Sequence, residues 1–294
     1  MTSVDVVVVA YNNGEELRKC VSPLAAVDDV MVFVVDNASS RDSLSFVRDL
    51  PVVSMPLETN GGFAHGCNAG WRAGRGRHVL FLNPDARIES DSLETLAHIL
   101  EADETIGAVA PRITHDDGTL DFSQRRYPRL ISTYAQALFL HRLFPERRWV
   151  DELIRDPGAY GRSGSPDWVS GAAVMVRREV LEAIDGFDDG FFMYCEDIDL
   201  CRRIRAAGYD IRYVADASVV HEGGVSAPRA ELLPILATSR IRYATKHRSA
   251  LYAWLERLGV ALGALTHVAV SRGGRGVRQG HLKSLRVAIS RRAS

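Results

Sequence analysis

The chain has little of what would mark a secreted, membrane-spanning or dinucleotide-binding protein. Its four cysteines, Cys20, Cys67, Cys195 and Cys201, make no CxxC pair and no metal-finger spacing. That excludes a disulfide framework and reads as small buried residues of a reducing compartment. No uncharged stretch reaches the roughly 20 residues a spanning helix needs. The apolar run at the N-terminus contains Asp5 and breaks at Asn12-Asn13-Gly14, too short and wrongly flanked for a signal peptide. The expected location is therefore the cytoplasm. The glycine pair of a GxGxxG turn is missing where it would be needed, since the first turn reads Ala10-Tyr11-Asn12-Asn13-Gly14, and a Walker A pattern is absent too. A bound phosphate would have to be held by something else, and a divalent metal is the leading option.

Net charge is also scarce: 36 basic against 37 acidic residues leave −1. Its distribution is lopsided. From Leu232 onward the only acid is Glu256, among Arg240, Arg242, Lys246, Arg248, Arg257, Arg272, Arg275, Arg278, Lys283, Arg286, Arg291 and Arg292. Such a segment suits an anionic surface, lipid or nucleic acid, or is a solvated basic tail. Aromatic interleaving is too sparse for nucleic acid, which ranks last.

What is present begins with a β–α–β rhythm. Val4 to Ala10 is a continuous β-branched run, the pattern of a strand buried on both faces. Further strands are predicted over Val30 to Val35, Val52 to Met55 and Val79 to Leu82, with helices over Glu15 to Leu24, Gly66 to Ala73 and Ser92 to Ala102. The alternation predicts an α/β fold with a doubly wound, mainly parallel sheet flanked by helices. Ligands bind beyond the C-terminal strand ends of such sheets. Polar residues stand there: Tyr11-Asn12-Asn13, Asp36-Asn37 and Asn83-Pro84-Asp85. Proline fixes the backbone at a strand exit and would thrust Asp85 into that crevice. The same three residues are ordinary turn chemistry as well.

The segment Phe191-Phe192-Met193-Tyr194-Cys195-Glu196-Asp197-Ile198-Asp199-Leu200-Cys201-Arg202-Arg203 sets three carboxylates at the start of an amphipathic helix. At about 100° per residue, Asp197 shares an arc with Leu200, Cys201 and Ile204, while Asp199 falls opposite, four residues before Arg203. Asp199 is accounted for by that pair. An inward Asp197 calls for a cleft, a metal or a substrate hydroxyl, or else serves as a helix N-cap.

Taken in order, Val-Ala-Tyr-Asn-Asn (9–13), Val-Asp-Asn-Ala-Ser (35–39), Asn-Gly-Gly-Phe-Ala-His-Gly-Cys-Asn (60–68), Leu-Asn-Pro-Asp (82–85), Gly-Ala-Ala-Val-Met-Val-Arg (171–177), Gly-Phe-Asp (186–188), Glu-Asp-Ile-Asp-Leu (196–200) and His221 resemble the family 2 inverting glycosyltransferases of GT-A fold. The likeness runs from about Val4 to about Ser226 and is greatest to the bacterial rhamnosyltransferase-like branch. It implies that Asp36 bonds a pyrimidine base, that Ala10, Tyr11 and Asn13 line the nucleoside pocket, and that Asn60, Gly61, Gly62, Phe63 and Asn68 cover it. Asn83 and Asp85 stand where the family places its metal-binding DxD, with Asn in place of the first Asp. His221 resembles the histidine that completes the metal and diphosphate site, although a lone His after a strand is also an ordinary surface residue. Asp197 becomes the general base, with Glu196 as runner-up. Trp168, Ser170 and Gly171 face sugar or acceptor by the same analogy, while a core-capping role suits Trp168 equally.

The expected activity is inverting transfer of a sugar, rhamnose in this branch, from a dTDP- or UDP-sugar to a glycan or polyprenyl-diphosphate-linked acceptor of the cell envelope, with Mg²⁺ or Mn²⁺ as cofactor. The alternatives are a catalytically silent nucleotide-sugar-binding subunit and, lower, a nucleotidyltransferase. Residues 1–232 are expected to form the catalytic domain, its nucleotide-sugar half ending near 110, and 233–294 a basic amphipathic helical extension. That extension, and the basic apolar stretch 127–166, would lie on the inner face of the cell membrane or pack within the protein or a homo-oligomer.

Overall fold

The computed structural model describes residues 3–145, 147–223, 228–270 and 274–290. Gly224, Ser226, Arg272, Arg291 and Arg292 therefore lie outside the described residues. Two compact units divide the chain. The first comprises Met1–Arg125, Asp156–Gly190 and Asp197–Gly224; the second comprises Arg126–Arg155, Phe191–Glu196 and Val225–Ser294.

The first unit is built on β1 (Val4–Ala10), buried at every position because it is covered on both faces. β2 (Val30–Asp36) and β4 (His78–Leu82) pair with it in parallel on either side, and β3 (Val53–Pro56) follows β2. Beyond β4 the direction changes. β9 (Ala173–Arg177) runs antiparallel to both β4 and β6 (Ile106–Thr114), β10 (Asp210–His221) is parallel to β6, and β5 (Ala86–Ile88) closes the edge antiparallel to β10. The strand order is β3-β2-β1-β4-β9-β6-β10-β5. The sheet is thus mixed. The parallel part expected from the β–α–β rhythm is intact, and one reversed strand, β9, splices the later half onto it.

Helices α1 (Glu15–Val21), α2 (Phe63–Ala73), α3 (Ser90–Ala102), α6 (Arg178–Ile184) and α7 (Glu196–Ala206) accompany the sheet, and β7 (Gln124–Arg125) pairs with β8 (Trp168–Val169) as a separate ribbon. α2 lies so close to β1 that a Cβ on Gly66 would stand 2.6 Å from Val9 Cγ1. That spacing fixes where the α2 N-terminus, and the loop before it, can sit. At the opposite end of the sheet Asp5, 4% exposed, accepts from Arg178 at 2.6 Å and from the Gly76 N–H at 2.6 Å. This buried charge is retained because it is paired and hydrogen-bonded.

The second unit is helical: α4 (Leu130–Ala137), α5 (Leu140–Leu143), α8 (Arg229–His247), α9 (Ala250–Val270) and α10 (Gly274–Ile289). Glu256, the lone acid of the basic segment, is 2% exposed and accepts from both Thr133 and Arg240, while Arg240 also donates to Glu152 at 2.8 Å. α4 and residue 152 are bound to α8 and α9 by this network. The unit boundary consequently departs from the expected break at 232, for residues 126–155 fold with the C-terminal helices. No described helix is long and apolar enough to cross a membrane.

Candidate active site

The C-terminal ends of β1, β2 and β4 carry three connected loops. After β1, Asn12 takes a left-handed φ of 57°, and its side-chain oxygen accepts from the Ser40 N–H and hydroxyl. Asn13 turns back to accept from the Tyr11 N–H at 2.8 Å. Tyr11 itself is exposed, whereas Ala10 is fully buried and gives its carbonyl to the Asn37 N–H. Asp36 accepts from the Ser39 hydroxyl. These residues stand together at the C-terminal ends of β1 and β2.

Asn37 does more than the sequence suggested. It is 3% exposed, donates to Asn60 Oδ1 at 2.9 Å and to the Gly62 carbonyl at 3.1 Å, and accepts from the Gly61 N–H. One amide therefore ties the 60–62 loop to the end of β2. Gly62 has φ 90°, a conformation that favours glycine, and opens α2 at Phe63. Asn68 departs from its expected role. Buried at 1% exposure, it bonds the Phe187 N–H and carbonyl, Asp189 and the Trp71 indole. Its amide capacity is used internally, so it braces the loop at 187–189 instead of reaching a ligand.

At the end of β4 the Asn83 N–H donates to the Ala172 carbonyl and its own carbonyl accepts from Ala86, so Asp85 projects from a tight turn. Three side chains meet there. His221 Nε2 stands 3.2 Å from Asp85 Oδ1 and 3.2 Å from the Asn83 amide. His221 Nδ1 faces Asp121 Oδ2 at 3.9 Å, too far for a hydrogen bond but close enough for ion pairing. Burial works against a charge on His221, yet the facing Asp121 and Asp85 carboxylates outweigh it and lift its pKa to about 9. The His115 ring holds the His221 carbonyl at 3.0 Å. A carboxylate and an amide that can present its oxygen suit a hard divalent ion, and the His221 imidazole could join them only on giving up its proton. With Asn at position 83, no group of three or more His, Cys, Asp or Glu able to hold a metal occurs among the described residues.

Asp197 lies in the first turn of α7 and is half-buried. Its Oδ1 accepts from the Ile198 N–H at 2.8 Å and its Oδ2 from the Gly171 N–H at 3.3 Å, and a carboxylate with about four acceptor sites keeps capacity for a further donor. Burial raises its pKa above the ordinary aspartate value, opposed by the positive charge of Arg125. The connection to Asn83 is short: Gly171 adjoins Ala172, whose carbonyl receives the Asn83 N–H. Summing those links places the Asp197 carboxylate within about 14 Å of the Asn83 backbone nitrogen. Gly171 also packs close to the ring of Phe63, and Ser170 donates its N–H to the Ser123 carbonyl.

Asp199 is fully buried, and its ion pair with Arg203 at 2.7 Å is as the spacing predicted. The pair is sealed because Arg203 also donates to the Ile184 carbonyl. Glu196 is buried and belongs to the second compact unit. Trp168 is 5% exposed, and the Arg125 guanidinium lies over its ring, 5.2 Å from the centroid. Asn37 was expected only as a polar residue at a strand end, and nothing in the sequence singled out Asp121, Ser123 or Arg125. The last three join the site through chain pairing that no local pattern announces.

A mixed sheet with acidic and amide side chains at its strand ends, and a second carboxylate set back at a helix start, defines an α/β protein with a candidate ligand crevice at those strand ends. The profile described as "Glycosyltransferase like family 2" matches residues 2–242, and the chain belongs to that family. It is 30% identical over 245 residues to the N-acetylglucosaminyl-diphospho-decaprenol L-rhamnosyltransferase of Mycobacterium tuberculosis, covering 78% of this chain and 79% of that one. It is 26% identical to the rhamnosyltransferase WbbL of Escherichia coli, covering 74% and 83%. Among solved structures, the mannosyltransferase PcManGT of Pyrobaculum calidifontis, in complex with GDP-Man and Mn²⁺, superposes with a TM-score of 0.59 at 18% identity over 98% of this chain and 86% of that one. At that identity the likeness establishes the GT-A glycosyltransferase fold.

Proposed function

We propose that the protein transfers a sugar, rhamnose in the first instance, from a dTDP- or UDP-sugar to a hydroxyl of a polyprenyl-diphosphate-linked saccharide, with inversion at the anomeric carbon. The family supports glycosyl transfer, and the rhamnosyltransferase relatives, one of them acting on a decaprenol diphosphate saccharide by its name, suggest rhamnose and the lipid-linked acceptor. The observation that carries the reading is the arrangement of Asp197. Its half-buried carboxylate keeps capacity for a further donor and hangs on Gly171, one residue from the Ala172 carbonyl that fixes Asn83.

In such a transfer the acceptor oxygen attacks as the nucleotide diphosphate departs from the opposite face, so base and leaving-group sites must stand apart by about the width of a sugar. Asp197 would take the acceptor proton. Its raised pKa brings it closer to the operating pH, which favours general-base work. Asp85, the Asn83 amide oxygen and a deprotonated His221 would hold a divalent ion, which when bound supplies charge neutralisation at the leaving diphosphate. Asp36 and the loops after β1 and β2 would seat the pyrimidine nucleoside, with Asn37 keeping the Gly61–Gly62 backbone over it. Trp168 and Ser170 would border the sugar, and the basic, apolar second unit would serve the lipid-bearing acceptor at a membrane face.

The test is donor binding followed by turnover. Calorimetry with dTDP- and UDP-sugars, with and without Mg²⁺ or Mn²⁺, should find at least one tight donor. Release of nucleoside diphosphate should then require a lipid-diphosphate saccharide. If no uridine or thymidine diphosphosugar binds under any of these conditions, the proposal is wrong.

A further inference from the structure

Arg125 is a cation with no directly bonded anion among the described residues. Its Nε is buried and unbonded, and its guanidinium makes no hydrogen bond or ion pair with any described residue. What holds it is the Trp168 ring, 5.2 Å away, directly opposite in the β7–β8 register. A stacked guanidinium keeps its planar fork of N–H donors free along its edge, the geometry that suits a phosphate. Buried donors in folded proteins are nearly always satisfied, so an orphan beside a proposed site marks where a ligand belongs. A second orphan stands two residues away: the Ser123 hydroxyl, on a residue only 1% exposed, is also buried without a partner.

The position of this ribbon is as telling as its chemistry. Asp121 meets His221 at one end, and Arg125 reaches Trp168 at the other, four residues on and at most about 14 Å along the chain. Phe122 and Gln124 between them are taken by the Tyr160 ring and the Ala159 carbonyl. The ribbon is anchored beside Asp197 as well, since the Ser123 carbonyl receives the Ser170 N–H and the neighbouring Gly171 N–H donates to Asp197. Arg125 is within electrostatic reach of both Asp121 and Asp197, yet bonded to neither.

We infer that Arg125, stacked on Trp168, is a diphosphate-binding arm of the site, with Ser123 as its hydroxyl companion. The inference rests on the glycosyltransferase reading above and adds a phosphate contact outside the strand-end metal site. The diphosphate comes from one of two sources: the departing nucleotide or the lipid-linked acceptor.

The experiment uses the full chain and its Arg125→Ala, Arg125→Lys and Ser123→Ala variants, with circular dichroism and thermal melts to confirm folding. Calorimetry with inorganic pyrophosphate in Mg²⁺ is the probe that does not depend on sugar transfer. Wild type should bind it, and Arg125→Ala should bind at least about tenfold more weakly. Arg125→Lys should fall between, keeping the charge but not the fork. The source follows from two further arms. A tenfold loss for dTDP or UDP, with little loss for the monophosphates, assigns the nucleotide. A raised KM for a diphosphate-linked acceptor, with an alkyl glycoside acceptor unaffected, assigns the acceptor. Absence of pyrophosphate binding by wild type, or equal affinity in folded Arg125→Ala, overturns the inference. So does a variant that changes only the acid limb of the pH profile, for Arg125 would then merely tune Asp197. Failure of every nucleotide sugar, with pyrophosphate still bound through Arg125, would instead fault the glycosyltransferase assignment and leave the arm standing.

Discussion

Replacing Asp197 by Asn tests the proposed chemistry with the least structural disturbance. The amide has the carboxylate's shape but cannot take a proton, and loss of a positioned general base costs about 10²- to 10⁴-fold in rate. That is about 3 to 5 kcal/mol of transition-state stabilisation. The structural cost is far smaller. The amide oxygen can keep the 2.8 Å bond from Ile198, leaving its NH₂ opposite the Gly171 N–H, where the carboxylate accepted at 3.3 Å. One long hydrogen bond is thereby exchanged for a donor–donor contact, worth about 1 kcal/mol. In a chain of this size that lowers Tm by about 2–4 °C. The assay is steady-state nucleoside diphosphate release together with donor affinity by calorimetry. Expected are a kcat lower by two to four orders of magnitude, a donor Kd within about threefold, and a modest drop in Tm. Burial holds the Asp197 pKa above its usual value against the Arg125 charge. The protonated, inactive form therefore persists to higher pH, and the acid limb of wild-type kcat/KM should lie above the ordinary aspartate range. A folded Asp197→Asn enzyme within tenfold of wild-type kcat would refute the assignment.

Three further outcomes concern the scaffold. Asn37→Ala removes the three hydrogen bonds that tie Asn60, Gly61 and Gly62 to β2; donor affinity should fall at least tenfold with stability lower by about 2–4 kcal/mol, checked by calorimetry and urea melts. His78 is 2% exposed, its Nδ1 has no partner, and burial lowers its pKa from 6.5 to about 4. It is neutral in the fold while the unfolded chain protonates near 6.5, so its stabilisation is complete above that pH and is lost as pH falls from 6.5 towards 4. The full loss is about 3 kcal/mol at about 1.4 kcal/mol per pH unit. Urea melts at pH 7.5 and 4.5 should show a steeper acid loss in wild type than in His78→Gln, and parallel losses would contradict it. Asp5→Ala strands the Arg178 guanidinium and should cost about 3–5 kcal/mol; a double change of Asp5→Leu with Arg178→Met should recover most of it, as read by the melting midpoint.

The fold was legible where burial writes a period into the sequence. β1 stood out to the residue because a strand covered on both faces cannot alternate, and α3 declared itself through Leu93, Leu96, Ala97 and Leu100. The reversal at β9 was not legible: Ala173 to Arg177 looks like any other buried strand, and nothing local tells an antiparallel neighbour from a parallel one. The second unit escaped for a related reason. Residues 126–155 and the C-terminal helices are bound by Thr133, Glu152, Arg240 and Glu256, partners up to 123 positions apart. A lone glutamate in a basic stretch looks like an interruption, when it is the acceptor that satisfies Arg240.

The candidate site divides along the same line. Residues at strand ends were found because a polar side chain directly after an apolar run has left the core and faces the crevice, and Asp197 because a carboxylate on an apolar arc demands a partner. Asn68 misled the reading because a motif records that an amide is required without saying for what; here four internal hydrogen bonds are the requirement. Asp199 was read correctly because a carboxylate four residues before an arginine on a helix has its partner within the local pattern. Arg125 is the instructive case. In sequence it is one arginine among several in a basic stretch, with no periodicity to single it out. Only the pairing of β7 with β8, across dozens of intervening residues, sets it on Trp168 and leaves its guanidinium unanswered. A charge left over once every local partner has been assigned is a property of the folded chain alone. It follows that the groups that bind what this protein acts on are best sought among such remainders.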